Sequence, residues 1–239
     1  MAHVFITGSA DGLGRATAEV LLGEGHKVVV HVRNEKRRSA VEDLDASVVV
    51  GDLADADETR SVADQVNRLG PVDVVIHNAG VYPSGPMIAV NAVAPYVLTA
   101  LIHRPRRLVY LTSGMHRGGR DDLRALSGHG SYSDSKLYVT TLALAVARLW
   151  PEVLSNAVDP GWVPTRMGGP GAPDDLRLGH LTQEWLATSD DPRALTTGGY
   201  WYHQRRQNPH PAAARADFQN ELLAALADLT GVTLDGAKA

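Results

Sequence analysis

The chain has 239 residues, 44% of them hydrophobic and 21% charged, a composition that excludes disorder as the main state and fits one layered domain over residues 1–239. A net charge of −4, from 23 basic against 27 acidic residues, leaves no electrostatic footprint for nucleic acid or an anionic membrane. The absence of cysteine removes disulfide frameworks, cysteine-based zinc sites and thiol nucleophiles together.

Short β-branched runs alternate with longer helical stretches. The first strand is predicted over 3–7, followed by a glycine-rich turn and a helix whose apolar positions are Leu13, Thr17, Val20, Leu21 and Leu22. Strands over 27–32, 47–50 and 72–77 come next, with Val62, Val66 and Leu69 marking the helix before the last of these. Strands over 107–112 and 153–158 follow, and 199–203 reads as a seventh strand at the sheet edge. Phe218, Leu222, Leu223, Leu226 and Leu229 form the stripe of a final helix closed by Gly231 as C-cap. Strands that are apolar throughout belong to a parallel sheet covered on both faces. The expected fold is α/β: a doubly wound parallel sheet of six to seven strands with helices on both sides. Two segments, 114–130 and 161–181, are rich in Gly, Pro, Asp and His and read as long functional loops at strand carboxyl ends.

The turn after the first strand reads Thr7-Gly8-Ser9-Ala10-Asp11-Gly12-Leu13-Gly14. Gly8 permits a sharp exit from the strand, Gly12 a close backbone approach to a pyrophosphate and Gly14 tight helix packing, while the helix N-terminus offers free N–H groups. Between a strand and a helix, this is a dinucleotide-binding turn. The second strand ends His31-Val32-Arg33-Asn34. A carboxylate there would bond a ribose 2′-hydroxyl, whereas an arginine pairs with a 2′-phosphate, so Arg33 points to NADP(H) over NAD(H), with Arg37 as a candidate second contact.

Tyr132 and Lys136 stand four residues apart, hence on one helical face. A free phenol has a pKa of about 10, and lowering it to about 7 takes roughly 4 kcal/mol of preferential phenolate stabilisation. One ammonium at about 4 Å supplies a contribution of that order at an effective dielectric of about 20, so the pair is expected to form a general acid/base. Ser113, at the end of the fifth strand, is placed to hydrogen-bond a substrate carbonyl.

With these residues in view the chain resembles the short-chain dehydrogenase/reductase family, whose fold is a single Rossmann-type domain. The resemblance rests on Thr7-Gly8-x3-Gly12-x-Gly14, Asp52-Leu53, Asn78-Ala79-Gly80, Asn91, Ser113, Tyr132-x3-Lys136 and Asp159-Pro160-Gly161-x3-Thr165, in family order. It implies that Tyr132 protonates the carbonyl oxygen, Ser113 orients the carbonyl, Lys136 binds the nicotinamide ribose and lowers the tyrosine pKa, and Asn91 holds a water of a proton relay. It further implies cofactor contacts from the turn residues Gly8, Ser9, Asp11, Gly12, Leu13 and Gly14, from Arg33 and Asn34, and from Asp52 and Leu53 at the adenine. Asn78, Ala79 and Gly80 would lie along the adenosine side, and Pro160, Gly161, Val163 and Thr165 at the nicotinamide. Ser113-Gly114-Met115-His116 and the insert before Tyr132 look like the retinol-dehydrogenase-like and bacterial carbonyl reductase branch, with the insert forming one wall of the substrate pocket. The ten residues between Gly80 and Asn91 are fewer than that branch has, so the element before Asn91 is expected to be reduced.

The expected activity is an NADP(H)-dependent interconversion of a carbonyl and an alcohol; the alternative is a non-catalytic dinucleotide sensor on the same fold. Tyr82, Met87, Trp162, Met167 and Trp185 are the apolar pocket candidates, favouring a bulky, lipophilic carbonyl or alcohol as the small-molecule partner. The resemblance implies a homodimer or homotetramer built on the helices of Asn91 and Tyr132, with apolar outer faces. The histidines show no metal-binding spacing, so no metal is expected. Nucleophile-elbow and P-loop motifs are absent, which rules against a hydrolase or NTPase. The opening has no basic n-region and no run reaches about 18 apolar residues, so the expectation is a cytoplasmic protein without a signal peptide or membrane span.

Overall fold

In a parallel sheet both faces of each strand meet helices, and the valine-rich runs of this chain satisfy that demand. The computed structural model describes residues 1–127 and 130–236; Gly128 and His129 of the 114–130 segment lie outside the described residues. The strands are β1 (His3–Ile6), β2 (Lys27–Val32), β3 (Ser47–Val50), β4 (Val74–His77), β5 (Arg107–Leu111), β6 (Leu154–Asp159), β7 (Gly199–Tyr202) and β8 (Arg205–Gln207). They form one sheet in the order β3-β2-β1-β4-β5-β6-β7-β8, parallel except for the last pair. The order reverses between β1 and β4, which opens a crevice at their carboxyl ends.

Helices cover both faces. On one side α1 (Gly12–Gly23) and α5 (Leu176–Thr188) pack over Val4, Ile6, Val30 and Ile76. On the other, α2 (Ala56–Arg68), α3 (Ala94–Leu101), α4 (Tyr132–Leu149) and α6 (Ala216–Thr230) enclose Phe5, Val29, Val75 and Tyr110. Gly231 closes α6 in the left-handed conformation at φ +66°, as its place after the apolar stripe predicts.

The sheet has eight strands, not six or seven, and its edge is β8 rather than β7. β8 escapes the pattern because its three residues, Arg-Arg-Gln, are all exposed and carry no alternation. The β7–β8 turn places His203 and Gln204 at φ +46° and +59°, a two-residue hairpin conformation usually announced by Asn-Gly. The 161–181 segment is not loop throughout: α5 begins at Leu176, its N-terminus capped by Asp175 on the Leu178 N–H at 2.9 Å. Its apolar signal is inverted, with Leu176 and Leu178 exposed and His180, Gln183 and Glu184 buried, which hides the helix from a periodicity reading. Trp185 packs edge-on against Trp201 at 5.2 Å in the core and not in a pocket.

The helix that starts with Tyr132 does not present an apolar outer face. Phe218, Leu222, Leu223 and Leu226 of α6 join Leu142 and Val146 of α4 in one core cluster, and the Tyr96 hydroxyl of α3 donates to the Val232 carbonyl at 2.7 Å. The C-terminal segment therefore fills the surface that the dimer expectation leaves free.

Beneath that layer lies a buried polar trio: His77 Nε2 and the Thr99 hydroxyl at 3.1 Å, Thr99 and the Tyr110 hydroxyl at 2.8 Å, with the His77 and Tyr110 rings stacked at 4.6 Å. Burial pushes His77 down to about 3, so the unfolded chain takes up this proton near pH 6.5 while the folded chain does not. Stability due to His77 is complete above pH 6.5 and falls by about 1.4 kcal/mol per unit below it. Urea denaturation at pH 6.5 and pH 5 is expected to show a loss about 2 kcal/mol smaller in His77→Phe than in the unsubstituted chain.

Candidate active site

The crevice opens into a cavity of about 640 Å³ that runs from the β2 end, past the glycine-rich turn, to the first turn of α4. Gly8, Asp11, Gly12 and Leu13 line its floor; Arg33, Asp52 and Leu53 line one end; Asn78, Ala79 and Gly80 the flank; Tyr132, Lys136, Pro160 and Thr165 the other end. Sequence reasoning had named all of these.

The glycine turn fits a dinucleotide. Gly8 stands at φ +63°, and a β-carbon there would lie 2.9 Å from Ala79 Cα; one on Gly14 would lie 2.4 Å from Asn78 Nδ2 and 2.6 Å from the Gly8 carbonyl oxygen. Turn, helix and the β4 end are thus in backbone contact. Asp11, at the N-cap of α1, makes no side-chain cap, because its carboxylate accepts from Arg37 at 2.8 Å. The first N–H groups of α1 are left for an anion.

Several predicted contacts serve as braces. Ser9 is fully buried: its hydroxyl donates to the Ile6 carbonyl at 2.9 Å and accepts the His31 N–H at 2.7 Å. Asn78 Nδ2 donates to the Thr7 and Gly8 carbonyls at 2.8 and 3.0 Å. Ser9, Gly14, Asn34, Asn91, Ser113, Gly161 and Val163 do not line the cavity. Asn34 is an exposed N-cap of the turn Glu35–Val41, and Val163 is buried beneath the 160–175 loop, where a β-carbon on Gly179 would meet its Cγ1 at 2.5 Å.

His31 is the brace that sequence reasoning missed. Its Nδ1 accepts the Gly8 N–H at 3.0 Å, and its Nε2–H donates to the Gly51 carbonyl at 2.8 Å, tying the glycine turn to the β3 end. Burial lowers its pKa and keeps the ring neutral, as the accepting Nδ1 requires. The signal was present: His31 interrupts an otherwise apolar strand, KVVVHV.

At the reacting end, a capping box at Ser131 and Asp134 starts α4, and Arg120 pairs with the Asp134 carboxylate at 3.0 Å. The Tyr138 hydroxyl donates to the Asp122 carbonyl. These bonds pin the insert before Tyr132 to the flank of α4, so among its described residues none lines the cavity, contrary to its predicted place in the pocket wall. His116 is fully buried; its Nδ1–H donates to the Ser113 carbonyl at 2.8 Å and its Nε2 accepts the His210 N–H at 2.9 Å, which makes it structural.

Lys136 is buried, and its ammonium donates to the Leu111 carbonyl at 2.9 Å. Burial lowers it to about 8, with Asp159 opposing the fall. Its nitrogen sits 5.5 Å from the Tyr132 ring centre. Tyr132 itself is pushed up to about 12, chiefly by burial, with Asp159 and Tyr82 adding to the rise and a hydrogen bond with Ser113 opposing it. In the chain without cofactor, desolvation of the phenolate dominates, and the lowering expected from Lys136 does not appear there. Ser113 acts against the rise at Tyr132, and its oxygen accepts the Met115 N–H at 3.2 Å.

Asn91 lies in a π-helical turn, Ala89–Val93, that leads into α3. Residues 78–86, between β4 and this helix, contain no regular element, which is the reduction the short spacing predicts. Its side chain is committed: Oδ1 accepts the Val81 N–H at 2.8 Å, and Nδ2 donates to the Val81 carbonyl at 3.1 Å and to the Ser135 hydroxyl at 3.0 Å. Of the predicted apolar wall, Tyr82 and Met167 line the cavity, with the Tyr82 ring 4.7 Å from that of Tyr132. Trp162 is 61% exposed, its indole N–H on the Gly168 carbonyl at 2.8 Å, and Met87 lines a separate cavity. Among the described residues no three potential metal ligands converge, and no helix is long and apolar enough to cross a membrane.

The family model described as short chain dehydrogenase matches residues 2–103. An uncharacterized oxidoreductase of Emericella nidulans is 37% identical, over 99% of this chain and 100% of that protein. The short-chain dehydrogenase chyC of Penicillium rubens is 34% identical over 98% and 99% of the two chains. DnrU of a Streptomyces species, a protein named as a daunorubicin C-13 ketoreductase, is 31% identical over 86% and 84%. A crystal structure of an uncharacterized protein from Mycobacterium paratuberculosis superposes with a TM-score of 0.82 at 26% identity, over 98% of this chain and 95% of that one. The chain belongs to the short-chain dehydrogenase family of oxidoreductases.

Asn91→Ala removes the only side chain named above that satisfies both polar groups of Val81. It is expected to lower stability by about 1–3 kcal/mol, seen as a lower urea midpoint with an unchanged slope.

Proposed function

We propose that the protein is an NADP(H)-dependent carbonyl reductase. The observation that carries the reading is one cavity with Tyr132 and Lys136 at one end and Arg33 and Arg37 at the other, joined by the uncapped N-terminus of α1. When bound, a dihydronicotinamide would supply a hydride, a proton with two electrons, to the carbonyl carbon.

This chain's residues do the rest. The glycine turn and α1 hold the pyrophosphate. Lys136, buried beside Gly80, is placed for the nicotinamide ribose, and Thr165, 3.6 Å from a β-carbon built on Gly12, closes the loop side over the turn. Ser113, next in the chain to the cavity-lining Leu111 and Thr112, would orient the carbonyl, and the Tyr132 phenol would give its proton to the carbonyl oxygen. A phenol at about 12 remains protonated through the neutral range, which suits a proton donor.

Arg33 is 69% exposed and only 3.9 Å from the Asp52 carboxylate, a loose surface pair worth under about 1 kcal/mol. A 2′-phosphate, carrying more charge, would displace it and draw in Arg37. Tyr82 and Met167, which line the cavity, favour a bulky lipophilic or aromatic ketone, in keeping with the name of the Streptomyces relative.

Oxidation of NADPH by a panel of aromatic ketones tests the reading; cofactor binding with no turnover on any of them would favour a sensor. Tyr132→Phe is expected to abolish turnover and leave the NADPH Kd within about twofold of its unsubstituted value. Arg33→Gln should weaken NADPH binding about tenfold and leave NADH binding unchanged by fluorescence titration.

A further inference from the structure

A dinucleotide brings a negative charge on each phosphate of its pyrophosphate, and a helix N-terminus offsets only about half of one. The cavity is lined by four cations, Arg33, Arg37, Lys136 and Arg166. Three of them are engaged. Arg33 lies 3.9 Å from the Asp52 carboxylate, Arg37 lies 2.8 Å from that of Asp11, and the Lys136 ammonium donates to the Leu111 carbonyl at 2.9 Å. Arg166 is exposed, and among the described residues its guanidinium has neither a carboxylate nor a carbonyl partner.

The chain around Arg166 fixes where that charge stands. The Thr165 carbonyl accepts the Gly169 N–H at 2.8 Å and the Thr165 hydroxyl accepts the Gly168 N–H at 3.2 Å, which closes residues 165–169 into one tight turn with Arg166 and Met167 at its head. On one side the Thr165 side chain comes within 3.6 Å of a β-carbon built on Gly12, over the glycine turn. On the other the Met167 methyl comes within 3.8 Å of a β-carbon built on Gly80, a point that also lies 3.5 Å from the Lys136 ammonium. The head of the turn thus spans the cavity from the start of α1 to the reacting end, and Arg166, the residue between, lines that same cavity. In a dinucleotide the group that separates the adenosine from the nicotinamide ribose is the pyrophosphate.

We propose that Arg166 is a pyrophosphate-binding residue, pairing with the cofactor's phosphates from the loop side while the N–H groups of α1 bond them from the glycine turn. The inference rests on the dinucleotide reading of the cavity and adds to it a cation that the glycine turn does not contain. A guanidinium presents paired N–H donors that match two phosphate oxygens, so the contact is both charged and directional. The two ends of the cavity then divide the work. Arg33 reads a phosphate that only NADP(H) carries, whereas Arg166 reads one common to both cofactors. Its place next to the residue in contact with Gly12 favours the pyrophosphate over an anionic group on the ketone, and the two are separable by experiment.

Arg166→Gln removes a charge from an exposed loop and should leave the urea midpoint where it is. The Kd of NADPH and that of NADH should rise by the same factor, about tenfold by fluorescence titration, in contrast to Arg33→Gln, which acts on NADPH alone. Calorimetric titration with inorganic pyrophosphate should show a loss of about the same size, and adenosine 2′-phosphate, which has no pyrophosphate, should bind unchanged. Arg166→Lys keeps the charge without the paired donors and should fall between the two. Unchanged NADH and pyrophosphate affinity with a raised KM for the ketone would assign Arg166 to the substrate and overturn the proposal. An equal loss for adenosine 2′-phosphate would also overturn it, because the arginine would then act through the field of the whole cavity. If the unsubstituted chain binds neither dinucleotide, the cofactor reading fails, and the titration with inorganic pyrophosphate still decides whether Arg166 holds that anion.

Discussion

A buried ammonium fixes the reacting end of this molecule. Lys136 is 4% exposed, and its one direct partner among the described residues is the Leu111 carbonyl at the end of β5, 2.9 Å away. Holding a charge in so dry a place is costly unless it is bonded, so α4 is tied at that point to the strand end. One helical turn earlier, Tyr132 is thereby set beside Ser113, which follows β5. The capping box at Ser131 and the Arg120–Asp134 pair start the helix at the residue that puts the phenol there.

Burial that fixes the geometry also sets the protonation states. The same desolvation lowers Lys136 and raises Tyr132, so each is displaced toward its neutral form. For a proton donor that is the useful state. Placement and acidity in this pair are therefore not independent, since a more open pocket would relax both.

Much of the architecture was legible because parallel strands declare themselves. VVVHV and the runs after it can only be buried on both faces, and the positions of β1 to β7 follow within two residues. The glycine turn and the Tyr132–Lys136 pair were equally plain, because close backbone approach and a four-residue helical spacing leave few alternatives. What stayed hidden has physical reasons. α5 buries polar residues and exposes leucines, β8 has no apolar residue, and the insert before Tyr132 owes its position to bonds between Arg120, Asp122, Asp134 and Tyr138 that no periodicity encodes. The rise at Tyr132 in the chain without cofactor was hidden for a related reason. A charge at four residues' distance can be counted from sequence, whereas the loss of water around the phenol cannot.

The short last strand has an effect beyond the domain itself. Any open sheet ends in a row of unsatisfied N–H and C=O groups that another sheet can complete. Here that row belongs to Arg205, Arg206 and Gln207, all solvent-facing, and the chain turns away after three residues. Two such borders brought side by side would crowd four guanidinium groups together along less than about 12 Å of backbone, so stacking of molecules through their strands meets repulsion before it gains any bonding.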